Sequence, residues 1–377
     1  MLIKNGFIFN SNTVSFEKKD IRIEEGIITG FGDFSEGDGE YFDADGAYIV
    51  PALVDIHTHG REGADFVSCD EKDLHRVAGE YAKRGVSCVM PTLASAPFEH
   101  MLDAVDKINR FVPADGEAEL CGVHIEGRYL NPKKGGAHAR ELLQPLDAKE
   151  LDAKEFSACR ALHITAAFEL DEDASFIRKI NEIGATASLG HTMANYDEAK
   201  RAEANGLVAY THLFNTMPPL NHRDGGAVCA ALEGKAFAEL ICDGIHISPE
   251  MIRLAYRSLG YERTVLVSDS IEATGLCDGE YSIAGMPAYV VNGIARTPDG
   301  ALAGSTLELF EGVKNLMRFC EIPFEHALIC ATANPAKTVG IYDKHGSLEI
   351  GKYADMMLIR DIYEPKADKI FIRGRLI

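Results

Sequence analysis

Apolar residues in the middle of the chain come in short continuous runs, at residues 49–57, 86–93, 120–126, 161–168, 185–190, 207–213, 238–242 and 264–269. Runs of that length with little polar alternation fit strands buried on both faces. Between them lie segments with helical character, such as DEKDLHRVAGEYAKRG, FEHMLDAVDKINRFV and DEDASFIRKINEIG. Strands alternating with helices in this number predict a (β/α)8 TIM-like barrel, an α/β architecture of about 250 residues. A doubly wound open sheet is the competing arrangement, but its glycine fingerprint after the first strand is missing. The two ends are patterned differently. LIKNGFIFN, VSFEKKDIRIEEGIITGFG and YFDADGAYIV are short alternating strands punctuated by Gly6, Gly26, Gly30 and Gly46, and SLEIGKYADMMLIRD and KIFIRGRLI repeat the style. Together they predict a small β-sandwich domain from residues 1–50 plus 335–377, leaving 51–334 for the barrel. Residues 278–304 read as a β-hairpin insertion after the eighth strand.

Composition narrows the possible partners. A chain of 377 residues is too long for one ordinary core, which agrees with a large unit plus a small one. With 38 basic and 58 acidic side chains the net charge is -20, so nucleic acid and anionic membranes are disfavoured as partners. No apolar run is long enough to span a bilayer. The opening MLIKNGFIFN has no basic segment ahead of a long apolar one, so the cytoplasm is the expected compartment. Nine cysteines without a Cys-x-x-Cys pair read as reduced thiols, mostly buried.

Several of the runs end in groups that bind metals or protons: His57 and His59, Glu126, His191, His212 and Asp269. A barrel gathers such strand ends at its catalytic face. His-x-His on an extended segment turns both rings to one side. Imidazoles with carboxylates suit one or two divalent transition ions, Zn²⁺ or Fe²⁺, better than the all-oxygen shells of Ca²⁺ or Mg²⁺. Such an ion lowers the pKa of bound water from about 15.7 to about 7 and polarises a carbonyl. Asp269 is then placed to take the water's proton and pass it to a leaving nitrogen. A strand-end histidine alone is more often structural, and His75, His100, His163, His326 and His345 are assigned nothing. His124, inside the third run, is either a core residue or a support for the site. Agreement among separate strand ends carries the metal reading. A thiol nucleophile at Cys242, near His246, is set aside because water activated by an ion makes it unnecessary. GSLEIGK at 346–352 mimics a phosphate loop, but Tyr353 replaces the required Ser or Thr and a strand-like run follows.

The motifs VPALVDIHTHG, SLGHT, THLFNTM, VSDS and GSLEIGKYADMMLI make the chain similar to the amidohydrolase superfamily. Within it, HIEGRYLNPKKGGAH, HLFNTMPPLNHRDGG, CDGIHI, SDSIEATGLCDGEY and DGALAGSTL resemble the N-acetylglucosamine-6-phosphate deacetylases, over nearly the whole length. The resemblance implies hydrolysis of an acetamide on a phosphosugar, releasing acetate and an amino-sugar 6-phosphate. It implies a principal metal site at Glu126, His191 and His212, and a second at His57 and His59, which some members lack. Many superfamily relatives use a carboxylated lysine after strand four; ALHITAAFE has none, as in the branch where the strand-three glutamate serves instead. His138 and His246 match residues that hold the acetyl group or sugar, and His138 joins Asp269 as a catalytic candidate. Asn215 and Thr216 match a sugar- and phosphate-contacting turn. Arg223, with His222 beside it, matches a phosphate site that can be shared across a homodimer. An arginine fork suits a phosphomonoester. One departure stands out: the family commonly has Gly-Pro after its glutamate, whereas Glu126-Gly127 precedes Arg128. Proline fixes the backbone, so arginine is expected to loosen that turn and to add a cation near the mouth. That leaves open another N-acyl amino sugar or a cyclic amide as substrate. A non-catalytic scaffold is the remaining alternative, and it predicts missing ligands where none is missing.

Overall fold

The structure, a computed structural model, describes residues 1–35, 39–283 and 285–377. Residues 36–38, in the amino-terminal β region, and residue 284, in the expected 278–304 insertion, lie outside the described residues. The continuous apolar runs become the barrel strands β1 (Leu53–Thr58), β2 (Val86–Leu93), β3 (Val123–Glu126), β4 (Leu162–Ala166), β5 (Thr186–Leu189), β6 (Leu207–Tyr210), β7 (Phe237–Ile241) and β8 (Thr264–Val267). Each pairs in parallel with the next, from β1 through to β8. Closure comes just beyond the strand ends, where Thr58 bridges Ser270 in parallel. There the Asp269 amide donates to His57 O at 2.9 Å and the His59 amide to Ser270 O at 2.7 Å. The barrel seam therefore fixes His57, His59 and Asp269 against one another by backbone hydrogen bonds.

Alternation along each strand sorts the side chains into layers. Val123 and Ile125 join Leu74, Val77, Met101 and Val105 in the large apolar core that unites strands and helices. His124, between them, points the opposite way and bonds Thr92 and Thr165. The residues beneath the strand ends thus form a hydrogen-bonded polar layer, with Thr165 also bonding Thr211, and Thr211 bonding Ser188.

Strands from both termini, Leu2–Asn10 to Tyr48–Pro51 and Met356–Ile359 to Arg375–Leu376, join in one mixed eight-stranded sheet. Its period-two pattern divides even a single strand. Met356 and Leu358 face a separate core with Ile3, Ile21 and Phe371, whereas Met357 and Ile359 join the large core of the barrel. The apolar run at 49–57 turns out to be two strands. Tyr48–Pro51 pairs antiparallel with Met356–Ile359, and after Ala52 the chain enters β1. Both halves are buried, so hydropathy could not show the break. Beyond β8, Gly279–Ile283, Met286–Val291 and Ile294–Arg296 form a three-stranded antiparallel sheet with its own small core around Ile271, Ile283 and Val290.

One ion pair ties the mouth of the barrel to the segment after that sheet. Arg61, only 1% exposed, donates Nη1 to Glu308 Oε2 at 3.1 Å and Nη2 to Oε1 at 2.9 Å, with its guanidinium 4.9 Å from the Tyr81 ring centre. Removing one partner of a buried pair strands the other charge. Glu308→Ala is therefore expected to cost about 3 kcal/mol in a chemical denaturation curve, the lower end for such pairs because Glu308 keeps some exposure. A midpoint and slope equal to those of the unaltered protein would contradict that.

Candidate metal centre and active site

The ligand candidates lie where strands stop and the backbone reverses. His191 (φ 46), His212 (φ 30) and Asp269 (φ 49) all adopt the left-handed conformation that non-glycine residues avoid. Such residues cost of order 1–3 kcal/mol each and persist only where surrounding structure holds them. Here the reversal turns each side chain across the barrel mouth. Glu126 ends β3 directly, and Gly127 follows at φ 152, where an added Cβ would lie 2.5 Å from both the amide nitrogen and Oγ of Ser95. Glycine is needed at that approach.

Glu126 sits at the centre, 2% exposed, and its two oxygens face different partners. Oε1 lies 2.9 Å from His212 Nε2 and 3.3 Å from His191 Nε2, and those two nitrogens are 3.0 Å apart. Oε2 lies 3.0 Å from His59 Nε2, 3.4 Å from His57 Nε2 and 3.8 Å from His138 Nε2. Asp269 Oδ1 completes the second side, 3.3 Å from His59 Nε2 and 3.5 Å from His57 Nε2. Two buried groups result, Glu126–His191–His212 and His57–His59–Asp269, each with its potential ligand atoms within 4.8 Å of one another.

Charge in this cluster is finely opposed. Burial works against ionising Glu126, but His57, His191 and His212 outweigh it and hold the carboxyl well below the usual range. Asp269 is lowered in the same way by His57 and His59 against its burial. Burial likewise works against charge on His57, His59 and His212, yet the carboxylates raise all three, His59 to about 9. Without an ion, protonated imidazoles neutralise the carboxylates; a divalent cation supplies that positive charge and displaces the protons. The donor set fits such an ion. Buried His57 Nε2 has no hydrogen-bond partner. His191 Nδ1 donates to Lys134 O at 2.8 Å, which leaves its Nε2 lone pair free to ligate.

His138 belongs to the same mouth. Its Nδ1 accepts from the Ser95 amide at 3.2 Å and lies 3.0 Å from Ser95 Oγ. Burial, then the neighbouring His191 charge, depresses it to about 3, so the ring is neutral with its proton on Nε2, facing Glu126. His246 lies outside the ligand groups, its ring Nδ1 2.7 Å from Asp243 Oδ2. It lines a cavity of about 260 Å³ with Asp243, Ile294, Gly304 and Leu307. Asn215 donates to His212 O at 3.2 Å, and Thr216 to Asn215 O at 2.7 Å. His222 and Arg223 are exposed, and no contact links either side chain to the buried cluster among the described residues.

The expectation for Arg128 is corrected. Its guanidinium does not add a free cation to the mouth but grips Glu150, Nε to Oε2 at 3.2 Å and Nη2 to Oε1 at 2.5 Å, 4.8 Å from the Phe98 ring centre. Nor is the turn loose: the Arg128 amide donates to Ser95 Oγ at 3.2 Å and its carbonyl accepts from the Gln144 amide. At φ 65 this position also excludes proline, whose ring holds φ near -65°. His124 proves to be interior support, bonded on both nitrogens and held well below its ordinary pKa by burial and then by the His57 charge. Burial also pushes the Cys242 thiol far up, which removes it as a nucleophile. Two residues escaped sequence reasoning. Ser95 follows β2 between two alanines, in a stretch with no chemical signal of its own. Glu239 stands in the middle of β7, where a lone acid within the apolar run FAELI was the available signal.

The chain belongs to the amidohydrolase family: the model of the "Amidohydrolase family" matches residues 48–377. A Vibrio furnissii N-acetylglucosamine-6-phosphate deacetylase is 34% identical, over 87% of this chain and 82% of its own length. An Escherichia coli O157:H7 N-acetylgalactosamine-6-phosphate deacetylase is 31% identical, over 94% of both chains. Among solved structures, an aspartate-to-alanine mutant of the Mycobacterium smegmatis N-acetyl-D-glucosamine-6-phosphate deacetylase, in complex with N-acetyl-D-glucosamine-6-phosphate, superposes with TM-score 0.90 at 26% identity. That match covers 100% of this chain and 98% of the other.

A cluster of opposed buried charges should be stabilised by its ion. Adding Zn²⁺ to chelator-stripped protein, at 100 to 1,000 times the dissociation constant, is expected to raise unfolding free energy by about 3–4 kcal/mol. A denaturation midpoint indifferent to Zn²⁺ would contradict the fit.

Proposed function

We propose that this amidohydrolase removes the acetyl group of N-acetylglucosamine 6-phosphate, giving glucosamine 6-phosphate and acetate. The observation that carries the reading is the Glu126 carboxylate, flanked by two ligand groups with His138 and Asp269 at the same mouth. Relatives across nearly the whole chain carry that name. Glu126, His191 and His212 hold one divalent ion, and His57, His59 and Asp269 a second, with zinc or iron the ions that such nitrogen–oxygen ligands favour. The ion supplies acidification of the attacking water and polarisation of the acetyl carbonyl. The chain does the rest. Asp269 accepts the water's proton as the carbon–oxygen bond forms and delivers it to the amide nitrogen as the carbon–nitrogen bond breaks. His138, neutral with its proton on Nε2, donates toward the carbonyl oxygen and stabilises the charge that develops there, as an oxyanion hole does.

His246, Asn215 and Thr216 border this mouth in sequence and are the residues we assign to the sugar. His222 and Arg223 point to solvent, which favours a homodimer in which these residues reach the phosphate of the neighbouring site. The net charge of -20 argues against nucleic acid and anionic membranes as partners. No helix among the described residues is long and apolar enough to cross a membrane, and we place the enzyme in the cytoplasm with its phosphosugar substrate. The relative named for the galactosamine epimer supports one alternative substrate.

Asp269→Asn should keep the ion of the Glu126–His191–His212 group bound while turnover falls on the order of 10²–10⁴-fold; near-normal acetate release would sink the proton-carrier assignment. The substrate is tested by acetate release from N-acetylglucosamine 6-phosphate, its galactosamine epimer and unphosphorylated N-acetylglucosamine. The expected order places the first ahead of the second and far ahead of the third. A preference for the epimer would transfer the reading to the alternative sugar.

A further inference from the structure

Glu239 has no part in the reaction just described, yet it is a fully buried acid directly behind the metal centre. It lies mid-strand in β7 with 0% exposure. Its Oε2 lies 2.9 Å from His57 Nδ1 and accepts the His212 amide N–H at 3.1 Å. Its Oε1 has no hydrogen-bond partner and stands 3.9 Å from His163 Nε2. A buried carboxylate is costly unless paired, and here its pairing is with one member of each ligand group: the ring of His57 and the backbone of His212.

We propose that Glu239 is a positioning residue that sets the affinity of the His57–His59–Asp269 group for its ion. A carboxylate only accepts, so Nδ1 of His57 carries the proton and Nε2, buried and otherwise unpartnered, is left to ligate. The negative charge behind the ring strengthens that nitrogen as a donor and fixes the ring plane, the second-layer arrangement common to metal-bound histidines. For the Glu126–His191–His212 group Glu239 holds only a backbone amide, at a left-handed residue that β6 and its loop also constrain. Its loss therefore falls on the second ion more than on the first. The inference rests on the metal-dependent reading above but not on the substrate assigned there.

The test uses the full chain, stripped of metal and titrated with Zn²⁺ alone against a competing chelator, as the unaltered protein, Glu239→Gln and Glu239→Leu. The unaltered protein is expected to take up two equivalents. Glu239→Gln, which keeps an acceptor but loses the charge, should retain the first and weaken the second by roughly 10–100-fold. Glu239→Leu should weaken the second further, with thermal unfolding of the metal-free variants checking that each is folded. If the leucine variant does not fold, the glutamine variant decides. Two equivalents with unaltered affinities in the variants would overturn the proposal, as would equal loss of both ions, or uptake of a single ion by the unaltered protein. Failure of that protein to release acetate would instead sink the substrate reading and leave the Zn²⁺ titration standing.

Discussion

One buried carboxylate, shared between two sets of imidazoles at the barrel mouth, is the constraint on which the rest depends. Glu126 cannot stay ionised there without positive charge on both sides, and the chain supplies four histidines for the purpose. Each has to be held at an angle that its own backbone disfavours or that the barrel seam imposes. Left-handed turns place His191, His212 and Asp269, and the closure between the ends of β1 and β8 places His57 and His59. The apolar layer between strands and helices offsets what this arrangement costs, because the outward side chains of the same strands form a continuous core.

A polar barrel interior is the second consequence. His124, Thr92, Thr165, Thr211 and Ser188 satisfy one another by hydrogen bonds beneath the centre, where an ordinary barrel would pack branched aliphatic residues. The network leaves both ring nitrogens of His124 and the hydroxyls around it paired, as buried polar groups require. The same economy appears at the rim. Ser95 Oγ takes the Arg128 amide and lies beside His138 Nδ1, so one serine links the turn after Glu126 to the ring that faces the Glu126 carboxylate.

Much of this was legible from residue order alone, for a definite reason. A strand buried on both faces is a continuous apolar word, and a histidine or acid at its end is conspicuous; that is why His57, His59, Glu126, His191, His212 and Asp269 could be found together. Glu239 was hidden because it breaks the middle of such a word, where an isolated charge looks like an irregularity and its partners lie 182 and 27 residues away. Arg128 was misjudged because its partner, Glu150, stands 22 residues on, at the start of a single 3-10 turn too short to show periodicity. The joint at Ala52 was invisible since both strands it connects are buried. Sequence pattern reports burial and direction; it does not report which buried charges meet.

The most direct test of the shared carboxylate is anomalous diffraction at the zinc edge from crystals of the Zn²⁺-loaded protein. The account predicts two peaks astride Glu126, one coordinated with His191 and His212 and the other with His57, His59 and Asp269. A single peak away from Glu126, or two peaks with no Glu126 oxygen in either coordination shell, would contradict it.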